Sequence, residues 1–356
     1  MKSPIYKICI LTLLLALGLS HRVAAQEVLW DVNFDFRFDN REYGQNKEMV
    51  APSETIFGAK LIPEMGLEWD NGHSIMTGVM FPATFGNPEF MGHPEWMVYY
   101  GYKGDNLKAY AGKFPRTRMI GSYSAAFFSD KFIFEDRILE GMLLQYTTPY
   151  TACEIGCDWN GHYSDIQREK FLIFSAGHVG LSFFKVGYSL TLHHHAGSKA
   201  VRGVVDNGLM AAWAELSLAE LFDWKAAYVR GSWLKAYQND RRNIGVPVLP
   251  YGFELDAGVQ IKSLGARATF YTGGDLMPYY DLPYEDAYGT PYGDNLYHGD
   301  IFYHIGGDSI YGRVELFWEP RIVDGLNLRI SSVHHWNGTY WGWQQVVSLV
   351  ANFGNY

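Results

Sequence analysis

From Val28 to Asn40, apolar and polar positions alternate without a break. Trp30, Val32, Phe34, Phe36 and Phe38 fall on one side, and Asp31, Asn33, Asp35, Arg37 and Asp39 on the other. Successive side chains of a strand point to opposite faces, so this stretch predicts a strand with one aromatic face and one charged face. A strand of a soluble sandwich can alternate in the same way. Repetition decides between the two. Weaker copies recur to the C-terminus with turn residues between them, as in a barrel that is apolar toward lipid and polar toward its lumen.

Taken in order, the pattern predicts strands at about Thr55 to Trp69, His73 to Thr84, Glu95 to Tyr102, Leu107 to Lys113 and Leu139 to Tyr146. The next carries Cys153, Ile155, Cys157 and Trp159 on one face. Further strands follow at Phe171 to Gly180, from Phe184 to His193, Gly208 to Leu218, Lys225 to Ala236, Gly252 to Lys262 and Ala266 to Tyr271. The last three are Ile310 to Glu319, Leu326 to His334 and Trp343 to Phe353. Pro63 has no N–H for a ladder and predicts a local irregularity. Asp70-Asn71-Gly72 is a tight hairpin turn, and Ser263-Leu264-Gly265 and Val323-Asp324-Gly325 are further short turns. Long and short connections alternate, which matches longer extracellular loops, short periplasmic turns and both termini on the periplasmic side. The fold class expected is all-β: a transmembrane antiparallel up-and-down β-barrel of about sixteen strands, with fourteen to eighteen acceptable.

The N-terminus explains how such a chain reaches a membrane. Lys2 and Lys7 precede the apolar run Ile8 to Leu19, and Val23-Ala24-Ala25 offers small residues before Gln26. That predicts a secretory signal at residues 1–25, cleaved after Ala25, and a single barrel domain over residues 26–356. Cys9 lies inside the apolar run and is no lipoprotein cysteine. Losing Lys2, Lys7 and Arg22 takes the formal charge from −9 to −12, and an acidic protein is a poor nucleic-acid binder. Aromatic residues make up 16% of the chain, enough to supply girdles at both membrane interfaces. Cys153 and Cys157 share a face about 13 Å apart at the strand rise, too far for a disulfide, and are expected to be free and lipid-facing. No cofactor is expected.

The polar faces supply the candidate lumen residues. They are Asp31, Asp35, Arg37, Lys60, Glu64, Glu68, Glu154, Asp158, Lys185, Glu254, Asp256, Lys262, Arg267, Arg313, Glu315 and Arg329, joined by Arg116 and Arg118 from the third long loop. Such charges can pair across strands to stabilise the wall, or form rings that select ions. The seventh long loop holds Asp275, Asp281, Glu285, Asp286, Asp294, Asp300 and Asp308 with seven tyrosines and no Lys or Arg. It reads as a solvated cap, with sugar or Ca²⁺ binding as the sharper alternative. His193 and His195 share a face about 7 Å apart and read as rim residues without a metal. Gly161-His162 and His334-His335 lie near loops, but no nucleophile elbow or HExxH is present. No catalytic residue is assigned and no enzymatic activity is expected.

The chain resembles the bacterial outer-membrane porins, in its architecture and in its aromatic end, Phe353 and Tyr356. That resemblance implies a Gram-negative outer-membrane location and a third loop, Phe114 to Arg137, folded into the channel. The polar second faces and the resemblance together lead to an expected channel for passive diffusion of small hydrophilic solutes, saccharides among them. Its partners would be outer-membrane lipid and, in a homotrimer, copies of itself. A non-channel scaffold or export subunit is the alternative, and a lumen packed with large side chains or loop would favour it. An outer-membrane enzyme is the third class, and would need a compact Ser or His with a carboxylate partner at the rim.

Overall fold

The computed structural model describes residues 27–43, 53–69, 71–199, 202–242, 244–283, 291–305 and 309–356. The expected signal segment and parts of the first and seventh long loops lie outside these residues. The strands are β1 (Glu27–Glu42), β2 (Glu54–Glu68), β3 (His73–Thr84), β4 (Glu95–Lys103), β5 (Leu107–Pro115), β6 (Ile138–Thr147), β7 (Thr151–Gly161) and β8 (Lys170–Gly180). The second half holds β9 (Phe184–His195), β10 (Val205–Ser217), β11 (Ala226–Asp240), β12 (Tyr251–Ile261), β13 (Leu264–Gly273), β14 (Ser309–Trp318), β15 (Arg321–Val323), β16 (Leu326–Trp336) and β17 (Trp341–Gly354). β14 and the short β15 pair in turn with β16, so together they form one stave of a sixteen-stave barrel. Each neighbour is antiparallel, and β1 closes the sheet on β17 from Asp31↔Gly354 to Glu42↔Trp343.

The alternation that predicts β1 is visible in its burial. Asp31, Asn33, Asp35 and Asp39 are buried, whereas Trp30 faces outward. The outward belt is mostly apolar, with the Lys113–Glu140 ion pair among its exceptions. Trp30, Trp318 and Phe353 are exposed near the end with short turns, and Trp96, Trp159, Trp341 and Trp343 near the end with long loops. No helix among the described residues is long and apolar enough to cross a membrane; the closed sheet with its outward apolar side chains has the form of a barrel that crosses with its strands.

The turns follow backbone chemistry. Gly72 (φ +78°) and Gly325 (φ +83°) take the left-handed conformation that their hairpins require. Lys262 (φ +53°) does the same in the β12–β13 turn, so it lies in the turn and not on the expected lumen face. Pairing of β2 with β3 skips Ile62 and Pro63, as the missing N–H predicts, while Val32↔Pro63 on the β1 side is kept. Cys153 and Cys157 are free and half-buried.

Candidate functional sites in the lumen and on the outer wall

The lumen is filled from one side by the third long loop. After β5 the chain forms a single 3₁₀ turn, Arg116–Arg118, crosses the barrel, and returns through the helix Asp130–Glu135, which Ser129 caps by accepting from the Phe132 N–H. Its arginines clamp it to the wall. Arg116 donates to Asp136 at 2.8 Å and to Asp158 at 2.6 Å. Arg118 reaches Glu64 at 3.3 Å and Asp31 at 3.4 Å, and stacks on Tyr356. Arg137 pairs with Asp35 at 3.0 Å, and Lys60 donates to the Glu135 carbonyl. Glu154 accepts from the Ile120 N–H, Tyr123 and Gln145. Arg116 and Arg118 are therefore engaged with carboxylates, and Arg116 is buried.

The seventh loop joins it, contrary to its expected place as a solvated cap. Tyr279, Tyr292, Tyr297, Phe302 and Tyr303 are buried in one apolar cluster with Phe127 and Phe128. The backbones bond directly: Ser129 N–H donates to the His298 carbonyl at 2.8 Å, and Asp300 N–H to the Ala125 carbonyl at 2.7 Å. A Cβ at position 299 would stand 2.1 Å from the Ala126 carbonyl oxygen, so only glycine permits this approach. Tyr303 donates to Glu254, and Tyr297 to Gln238 at 2.8 Å.

His193 and His195 are not rim residues. Both are buried on the inward face, His193 beside the Leu296 carbonyl at 3.1 Å and His195 against Tyr292. Burial, helped by His193, Arg116 and Lys170, holds His298 in the loop well below the usual imidazole range and so neutral. Among the described residues no group of three or more His, Cys, Asp or Glu is placed to hold a metal ion.

What the plug leaves open is a series of three polar cavities. One of about 170 Å³ at the mouth shares Asp130, Asp300 and Arg313 with a second of about 330 Å³. The second shares Tyr123, Ser124, Glu254 and Arg267 with a third of about 500 Å³. Many of their charges are paired. Asp130 lies between Arg37 (3.9 Å) and Arg313 (3.7 Å), and Arg313 also meets Glu315. Arg267 holds Asp256 at 2.7 Å and Arg329 holds Glu315 at 2.8 Å. Glu68 and Lys185 sit near the periplasmic ends of β2 and β9, Lys185 opposite Glu215.

A second constellation lies on the outer wall, where the sequence reading placed none. The outward parity of β1 runs Phe34, Phe36, Phe38 and then Asn40. In register, Thr55 of β2 faces Asn40, Asn40 faces Gln345 of β17, and Gln345 faces Ser332 of β16. These four polar side chains form one row across four strands. Thr55 donates to Asn40 at 2.9 Å, and Asn40 Nδ2 to Gln345 Oε1 at 3.2 Å. Ser332 Oγ lies 3.1 Å from His334 Nε2, two residues nearer the extracellular end on the same face. Beside Ser332 opens an apolar groove of about 590 Å³, lined by Leu264, Leu316, Trp318, Ile330 and Val347. The sequence signal was present but faint: polar residues at outward parity, unconnected until the register aligns them.

Among solved structures, the chain is similar to the outer-membrane protein OmpT of Vibrio cholerae. A loop-deletion mutant of that protein has a TM-score of 0.58 at 10% identity, covering 93% of this chain and 100% of the other. A form described as a trimer has a TM-score of 0.57 at 9% identity, covering 93% and 100%. A mutant Rhodopseudomonas blastica porin follows at 0.50 and 9%, covering 92% and 100%. At such identities the likeness shows the fold alone: an outer-membrane β-barrel of the Gram-negative kind. No curated protein matches the chain. Residues 25–294, most of the chain, match the model of a family described as lipid A 3'-O-deacylase-type. This is an enzyme family, and it overturns the expectation of a protein without enzymatic activity. The chain belongs to the lipid A 3'-O-deacylase-type family.

Proposed function

We propose that this barrel hydrolyses an acyl ester of a lipid A-type glycolipid in the outer leaflet, and that it works from its membrane-facing wall. The family description supplies the reaction class and substrate. The observation that carries the location is the hydrogen-bonded polar row Thr55, Asn40, Gln345 and Ser332 beside the apolar groove of the outer wall. Polar groups facing lipid are unfavourable unless they have a task. The lumen is a poor alternative for a lipid substrate, because the wall is closed by a continuous β1–β17 ladder and the interior is packed with loop. The reading needs this face open to lipid, so trimer contacts would lie on other strands.

The test is direct. Purified protein mixed with 3'-O-acylated lipid A in detergent micelles should release one fatty acid per lipid, read by mass spectrometry. A folded barrel that leaves the lipid intact over long incubation refutes the proposal. A second reading, a narrow passage for small hydrophilic solutes, has one observation in its favour, the series of polar cavities through the lumen. Stepwise conductance of the intact protein in planar bilayers would support it.

A further inference from the structure

We propose that His193 and His298 together bind one divalent transition-metal ion, and that this ion pins the seventh loop to the barrel wall. The inference concerns the interior and does not depend on the ester hydrolysis, in which neither side chain has a task.

The two histidines come from different elements. His193 stands on β9 and faces the lumen, and His298 belongs to the seventh loop. Their ring centres are 4.8 Å apart. The Nε2 atom of each is enclosed and has no hydrogen-bond partner in the protein, a condition that buried polar atoms rarely keep. Both rings line one small cavity of about 20 Å³, room for about one water-sized occupant. Apolar side chains, Leu172, Leu209 and Met277 among them, make up most of its wall.

The tautomer of His193 favours an ion. Its Nδ1 lies 3.1 Å from the Leu296 carbonyl. A carbonyl oxygen only accepts, so Nδ1 carries the hydrogen and donates it, and Nε2 is left as a lone pair. A histidine that holds a metal through one nitrogen commonly donates from the other to a backbone carbonyl in this way, which fixes the ring. The spacing also agrees. An ion held by two imidazole nitrogens at about 2.0–2.1 Å stands about 3.2 Å from each ring centre, and centres 4.8 Å apart then subtend about 100° at it, close to a tetrahedral angle.

Imidazole ligands suit Zn²⁺, Co²⁺, Ni²⁺ and Cu²⁺, whereas Ca²⁺ and Mg²⁺ take oxygen. Two side chains are fewer than a structural zinc site supplies, so the remaining positions fall to water and the ion is exchangeable. The cations that act on His298 are Arg116 and Lys170, and Arg116 is flanked by Asp136 and Asp158. Two charges of each sign leave no net positive field against an ion. A bound ion would join β9 to the segment at Leu296–His298, the same segment whose His298 carbonyl accepts from Ser129 of the third loop. It would therefore strengthen the plug where its two loops meet.

The test uses the full-length barrel without an added histidine tag, in detergent micelles, stripped with a chelator and titrated with Co²⁺, Zn²⁺ or Ca²⁺. The expected result is one Co²⁺ bound per barrel, with the visible absorption of a nitrogen-ligated ion, displaced by Zn²⁺ and not by Ca²⁺. His193→Gln and His298→Gln should each weaken binding by about tenfold or more, and His194→Gln and His304→Gln should leave it unchanged. With free Zn²⁺ at about ten times its Kd, hydrogen exchange at residues 296–298 should slow about tenfold in the wild type and not in His298→Gln. That variant changes a loop residue outside the strand ladders, so the barrel folds without it. Absence of binding by the folded wild type, which leaves a buried water as the occupant, overturns the proposal. So does binding that survives both His193→Gln and His298→Gln, or binding lost only in His304→Gln, which would place the ion on the Asp275 and Asp281 carboxylates.

Discussion

Replacing Arg116 by methionine should release the third loop from the lumen wall. The Arg116 side chain is 2% exposed and that of Asp158 1% exposed, with their charged atoms 2.6 Å apart. Asp136, the second partner, is 33% exposed and can turn to water. Removing the arginine therefore strands one carboxylate, Asp158, in a buried site. Breaking a buried pair by deleting one partner destabilises by about 3–5 kcal/mol, and the stacking of the guanidinium on Phe132 adds up to about 1 kcal/mol. The strand ladders do not depend on this pair, so the loss should appear as local opening of the loop. At about 1.4 kcal/mol per tenfold, hydrogen exchange of the amides in Asp130–Glu135 should accelerate by about two to four orders of magnitude, with strand amides unchanged. The double variant R116M/D158N removes both charges. It keeps an oxygen to accept the Glu140 N–H that Asp158 now accepts at 3.0 Å, and so should recover most of the protection. An acceleration below tenfold in R116M, or no recovery in the double variant, would refute the view that this buried pair anchors the plug.

Two further predictions follow from the same packing. Deleting Ser124 to Phe134 removes Phe127, Phe128 and Phe132 from the interior cluster. It should raise single-channel conductance in planar bilayers well above that of the intact protein; unchanged conductance in a folded variant would mean that the loop does not obstruct the lumen. The seventh loop should be pH-sensitive through His304. Burial opposes its protonation, but hydrogen bonds to Asp275 at 2.9 Å and Asp281 at 3.0 Å outweigh this and raise its pKa above the ordinary value. A raised folded-state pKa contributes stability that is full below the unfolded value of about 6.5 and is lost as pH rises through the folded one. Protease protection of this loop should therefore fall from pH 6 to pH 9, and a flat or rising profile would contradict the assignment.

The barrel was legible because a half-apolar strand writes its fold at period two. Clean alternation in β1 and β12 identified strands whose ends shifted by only one or two residues, and Asp324-Gly325 marked a turn by chemistry alone. The interior was harder to read. Seven tyrosines among seven acids look like a wet loop. What buries Tyr297, Phe302 and Tyr303 is the empty space of a wide barrel, which no local pattern in the loop encodes. β9 runs on through His195, so His193 and His195 point into the lumen beneath that loop and not to the rim. Arg116 and Arg118 were identifiable as loop charges, but their carboxylate partners lie 20 to 87 positions away in other strands or in the loop's own return. The outer-wall row was faint in the sequence for a related reason. Asn40, Thr55, Ser332 and Gln345 become neighbours only through strand register, and barrel closure joins the first strand to the last.

The central claim, that this barrel removes an acyl chain from an outer-leaflet glycolipid, is tested most directly in cells. The protein would be expressed in a Gram-negative host without a lipid A deacylase of its own, and the extracted lipid A examined by mass spectrometry. The expected result is a new species lacking one acyl chain, with the matching free fatty acid. A lipid A spectrum identical to that of the empty host, with the barrel folded in the outer membrane, would contradict it.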